Sequence, residues 1–137
     1  MKTTFDTDTF LFSLLRESPV SAAITGGIYV GDDRPDDSTK EDIVVNSIDL
    51  TQDYLPQIGT SNVNIFVPDK VITIGGKQQL KANRTRLKEL SNMAIETLRN
   101  ANITGLKLIL VNQTILEEPS VNQHFVNIRI NWNIQTN

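Results

Sequence analysis

The plainest pattern lies near the end of the chain. Val126, Ile128, Ile130, Trp132 and Ile134 alternate with Asn127, Arg129, Asn131, Asn133 and Gln135. Period-two alternation of this kind predicts a strand with one buried face, here backed by a ladder of mostly uncharged amides. Residues 62–67 alternate in the same way, with Val63, Ile65 and Val67 on one side, and Pro68-Asp69 ends that strand. Residues 43–50 are rich in β-branched side chains and predict another strand, with Val44, Ile48 and Leu50 on one face and Ile43 and Val45 on the other. A linker holding Pro56 and Gly59 joins these two. Residues 106–116 begin apolar on both faces, the pattern of a central strand covered on both sides, and Glu117-Glu118-Pro119-Ser120 makes the turn after it.

Elsewhere the period changes to that of a helix. Phe10, Leu11, Leu14 and Leu15 recur at three-to-four spacing behind Asp6-Thr7-Asp8, whose side chains suit a helix start. That short helix stops near Ser18-Pro19. The proline either closes it or opens a second turn, capped by Ser18, with Val20, Ala23 and Ile24 as its apolar face. From about residue 80 to residue 101, Leu80, Leu87, Leu90, Ala94, Leu98 and Ala101 lie on one stripe and predict the longest helix. Each fully buried leucine there contributes roughly 1.5–3 kcal/mol.

Gly26-Gly27 breaks the first helical region ahead of a brief strand, Ile28-Tyr29-Val30. Residues 31–42 are the most polar stretch and predict a solvated loop that no core could hold. Residues 71–76 fit either a small extra strand or an ordered loop. The expected fold is α+β: a single domain, 1–137, with a largely antiparallel sheet of four or five strands. A short N-terminal helix and one long helix pack on one face of that sheet.

Composition narrows what such a domain does. The 137 residues include no cysteine and one histidine, His124. Disulfides, thiolate metal sites and a Cys nucleophile are therefore excluded, as is any metal site built on a histidine pair. Lys+Arg 13 against Asp+Glu 16 leaves a net charge of −3, without the basic surplus of a dedicated nucleic-acid binder. The early apolar run is too short for a signal peptide, and no apolar stretch reaches membrane-spanning length. Gly75-Gly76-Lys77-Gln78 lacks the phosphate-loop spacing, because Val71 stands where the first glycine is required. The acids of 31–42 are paired and interrupted by Pro35, unlike the alternating ligands of a calcium loop. With no catalytic set, no metal site and no cofactor motif, the expectation is a protein without an enzymatic role.

Charge is segregated along the chain. Residues 31–42 carry six acids against Arg34 and Lys40, a net of −4. Residues 77–99 carry Lys77, Lys81, Arg84, Arg86, Lys88 and Arg99 against two acids, a net of +4. Lys81, Lys88 and Arg99 are expected along one edge of the long helix. Either both segments are simply solvated, or the acidic loop of one copy faces the basic edge of the next, a head-to-tail contact that closes rings.

The order of elements resembles the bacteriophage tail completion (tail terminator) family. The likeness rests on the short N-terminal helix, Ile24-Thr25-Gly26-Gly27-Ile28-Tyr29-Val30-Gly31, the acidic loop with Pro35, and the strand ending in Val67-Pro68-Asp69. The long helix with Arg86-Leu87-Lys88-Glu89-Leu90 and the closing hairpin complete it. Residues 71–79 are longer than the family pattern expects. The resemblance implies a phage or prophage structural protein of the virion tail or neck, made in the bacterial cytoplasm. Its partners would be other copies in a ring, usually of six, together with the tail-tube protein and the head–tail connector. DNA would pass through without specific binding. A globule of this length is about 36 Å across, and six touching spheres leave a hole about as wide as one of them. The candidate interface is Asp32, Asp33, Asp36, Asp37, Lys81, Lys88, Arg99, Asn127, Arg129 and Asn131. A different class of function, a ligand-binding or regulatory module, would use 31–42 as a lid over the sheet. A small hydrolase would need two buried acids in a cleft.

Overall fold

The alternating C-terminal segment becomes β7 (Gln123–Ile134), and the sheet is built around it. The computed structural model describes all 137 residues. Its elements run α1 (Thr4–Arg16), α2 (Pro19–Ala23), β1 (Ile28–Val30), β2 (Asp42–Leu50), β3 (Gln57–Pro68), β4 (Lys70–Ile74) and β5 (Lys77–Lys81). Then come α3 (Arg84–Arg99), β6 (Leu106–Glu118), a 3-10 turn at Pro119–Val121, and β7. Five strands form one sheet in the order β1-β2-β3-β7-β6. Every pairing in it is antiparallel except β1 with β2. The fold is α+β, with a short N-terminal helix.

Helices cover one face of the sheet and leave the other open. Leu11 and Leu15 of α1 and Leu87, Leu90, Ala94 and Leu98 of α3 join Ile43, Val45, Val63, Ile65, Val67 and the alternate residues Val126 to Ile134 in one core. The expected core face of β7 is fully realised: Trp132 and its four aliphatic partners are buried. Phe10 of α1 packs near the Trp132 ring, with centroids 6.5 Å apart.

Helices α1 and α3 are both held at their starts. The Asp6 carboxylate accepts the Thr3 backbone N–H at 2.8 Å, and the Asn83 side chain accepts the Arg86 N–H at 3.3 Å. Pro19 opens α2 as its first residue, behind Ser18.

Several expectations are corrected. In β2, Val44, Ile48 and Leu50 do not share a face. A bulge falls between Ser47 and Asp49, so Ile48 is left exposed and Leu50 turns to the core beside Ile43 and Val45. Gly59 belongs to β3 and not to a linker; it faces Leu50, and a Cβ there would strike the Asp49 carbonyl. Leu80 and Lys81 are not helical. Residues 70–81 form a separate two-stranded hairpin, turning at Gly75 and Gly76 with φ of 57° and 78°. The helix starts only at Arg84, and Leu80 is exposed.

β6 is an edge strand, not a central one. Only its first half, through Leu110, packs on the core; Ile109, Val111, Ile115 and Leu116 are exposed. Finally, the polar run 31–42 is not solvated to its end. Glu41 and Asp42 are buried, and Asp42 opens β2.

Candidate functional site

The burial of two adjacent acids is explained by two arginines. Asp42 Oδ2 accepts from Arg34 Nε at 2.9 Å and from Ser38 Oγ, while its Oδ1 accepts the Gly27 backbone N–H at 2.9 Å. Glu41 receives Arg86 in a two-pronged pair, Nε to Oε2 at 2.7 Å and Nη2 to Oε1 at 2.9 Å. The hydrogen bond that Arg86 donates to Glu41 chiefly, helped by the charges of Glu41 and Glu89, raises the Arg86 pKa above its ordinary value against the opposing effect of burial. Gly26 is required beside this network. A Cβ there would collide with the Asp42 carboxylate and lie 2.6 Å from the Glu41 carbonyl oxygen.

Arg34 also fastens the acidic loop to the open face of the sheet. Its Nη2 donates to Gln123 Oε1 at 2.6 Å, and its guanidinium lies 4.0 Å from the centre of the Phe66 ring. Phe66 in turn stacks on Phe125 across the β3–β7 pair, centroids 4.7 Å apart. The loop and the open face enclose a cleft of about 510 Å³ lined by Arg34, Asp36, Val44, Asn64, Phe66 and Glu118.

The proposed interface residues fall into three groups. Asp32, Asp33, Asp36 and Asp37 are all exposed, and none joins an ion pair. Lys88 and Arg99 are exposed on α3 and likewise unpaired, but Lys81 leaves their edge for the hairpin. Arg84 takes its place: Arg84 and Lys88 line a cleft of about 590 Å³ between α3 and β6, and Arg99 lines a smaller one farther along the same groove. The buried Ser91 hydroxyl borders the larger cleft without a hydrogen-bond partner.

Asn127, Arg129 and Asn131 lie on the open face. Asn127 Nδ2 donates to Asn64 Oδ1 at 2.7 Å and to Asn62 Oδ1 at 3.2 Å, and Asn131 Oδ1 accepts from Thr60 Oγ1 at 3.4 Å. The amide ladder is thus partly satisfied within the sheet, and Arg129 remains exposed above it. His124 Nδ1 lies 2.6 Å from Asp69 Oδ1, tying the start of β7 to the end of β3. No three of the His, Asp and Glu side chains converge on a point that would hold a metal ion. No helix is long and apolar enough to cross a membrane.

The sequence reading missed the Glu41–Arg86 and Arg34–Asp42 pairs. Composition placed all six acids in one solvated run. The available signal was that Ile43 follows Glu41-Asp42 directly, so a core strand begins where the acids end. It also missed the exposed edge of β6, because an apolar run reads alike for a covered strand and a bare one. No family model matches the chain, and no curated protein matches it.

Proposed function

We propose that this chain is a structural assembly subunit of the tail-completion type, a phage or prophage protein that caps a tail tube as a ring of copies. It works by association, without catalysis. One observation carries this reading: four unpaired acids cluster on the loop beside the open face, and three unpaired cations cluster along α3. Asp32, Asp33, Asp36 and Asp37 are exposed on the loop, and Asp32 and Asp36 line its cleft against the open face. Arg84, Lys88 and Arg99 line the groove of α3, on the helix-covered face. No ion pair joins the two groups within one molecule. Repeated head to tail between copies, they match, and a repeated heterologous contact closes into a ring when its rotation allows.

Two further features favour assembly over a ligand-binding module. The loop is fastened by Arg34 to Asp42, Gln123 and Phe66, which opposes the opening a lid requires. The two buried acids that a hydrolase would need are each taken up by an arginine. A mildly acidic subunit also suits a conduit, since it lets DNA pass without gripping its phosphates.

Negative-stain imaging and sedimentation, with and without tail-tube protein, test the reading. Rings alone or on tube ends are expected. Changing Asp32, Asp33, Asp36 and Asp37 together to lysine should abolish them while the chain stays folded. A wild-type chain that forms no rings and ignores tube protein overturns the proposal.

A further inference from the structure

The edge strand β6 pairs with β7 on one side, and no strand pairs with its other side, where only its first residue, Leu106, bridges to Ile103. It runs for thirteen residues and exposes Ile109, Val111, Ile115 and Leu116. Sheet edges are ordinarily kept short or are blunted by proline, central charge or a covering segment, because bare backbone N–H and C=O groups recruit another strand. β6 contains no proline, and its charges, Lys107, Glu117 and Glu118, stand only at its ends. A single bulge interrupts it.

We propose that β6 is a two-fold interface, on which β6 of a second copy adds antiparallel to continue the sheet. The bulge selects the register. Before it, Lys107 and Ile109 stand opposite Asn133 and Asn131, on the open face; after it, Leu116 and Glu118 stand opposite Phe125 and Gln123, on that same face. Residues of odd number before the bulge therefore share a face with residues of even number after it. When Lys107 is set opposite Glu118 of the second copy, both lie on the open face, and Ile109 meets Leu116 beside them. On the helix-covered face Leu110 meets Ile115, whose β7 neighbours Ile130 and Val126 belong to the core.

A slip of one residue would set Lys107 against Glu117, on the opposite face, and would lose every one of these matches. Two-fold symmetry makes each contact twice. The charges at the two ends complement each other, and neither Lys107 nor Glu118 is engaged in an ion pair within its own chain.

The head-to-tail match uses the groove between α3 and β6, which Gln113, Thr114 and Ile115 also line, so the two contacts share a strand and are told apart by their variants: the loop acids for one, Lys107 and Glu118 for the other. The test is sedimentation equilibrium of the full chain carrying Lys107→Glu, Glu118→Lys, or both. The wild type should dimerise reversibly. Each single change turns two attractive cross-strand pairs into repulsive ones and should weaken the dimer about tenfold. The double change restores both pairs and should return the dimer to near wild-type strength.

Hydrogen exchange on the wild type gives a second readout: amides within 106–118 should gain protection as concentration rises. A monomeric wild type, single changes without effect, or a double change that fails to restore association in a folded chain each overturns the interface. The lysine-substituted loop variant should keep this dimer. If rings are lost and the dimer survives, the fault lies with the variant's head-to-tail contact; rings that persist with no dimer sink the β6 interface alone.

Discussion

Arg86, in the first turn of α3, grips Glu41 across 45 residues of chain with two hydrogen bonds of 2.7 and 2.9 Å. Its Nη2 also donates to the Ala23 carbonyl at the end of α2, at 2.6 Å. One guanidinium thereby ties together α2, α3 and the residue before β2, while Glu41 accepts the Thr25 N–H as well. The long helix is positioned on the sheet by this clamp in addition to its leucines.

Removing the arginine strands a largely buried carboxylate, so Arg86→Ala should destabilise the fold by about 3 kcal/mol. Arg86→Lys should recover only part of that, because an ammonium cannot supply the two-pronged geometry. Urea unfolding of both variants checks the order. The pKa of Arg86 is raised on folding, so the stability it contributes is complete below the unfolded value and is lost only as pH climbs past the folded one. The deficit of Arg86→Ala should therefore be the same at neutral and mildly alkaline pH. A deficit that shrinks between them would place the effect on another group.

A chain of hydroxyls crosses the core beneath α1. Thr7 and Ser47 Oγ atoms lie 2.6 Å apart, Ser47 and Ser61 lie 2.7 Å apart, and Trp132 Nε1 donates to Ser61 Oγ at 2.8 Å. Ser61→Ala removes the only acceptor of a buried indole N–H and should cost about 1–3 kcal/mol. Trp132 is the sole tryptophan, so its fluorescence reports both the unfolding midpoint and the changed surroundings in the folded state. A change in neither would mean that water replaces the serine.

Leu80 and Leu90 look equivalent on the sequence stripe, but the fold separates them. Leu90 is 0% exposed at the centre of α3, and Leu90→Asp should leave the chain unfolded. Leu80 sits 48% exposed on the hairpin, and Leu80→Asp should shift stability by no more than about 0.5 kcal/mol. Circular dichroism and thermal melts separate the two outcomes. A large loss at Leu80 would mean that the hairpin packs on the core.

What the sequence determined by itself was periodicity and its consequences. Alternation in 126–134 and 63–67 named the core face of β7 and β3 residue by residue, and the 3.6-residue stripe named Leu87, Leu90, Ala94 and Leu98. These patterns arise from each side chain's own transfer from water, which depends only on its place in a local element.

The tertiary structure decided everything that depends on a distant partner. It put β6 at the edge, since strand order is set by pairing and not by composition. It turned Leu50 inward through a bulge and took Leu80 and Lys81 off the helix into a hairpin. Glu41 and Asp42 could be buried only because Arg86 and Arg34, 45 and 8 residues away in sequence, arrive to neutralise them. Once those pairs are taken out, the charges left free include Asp32, Asp33, Asp36 and Asp37 on the loop and Arg84, Lys88 and Arg99 along α3. Which charges remain free for another copy is a property of the folded chain, because internal pairing removes the rest.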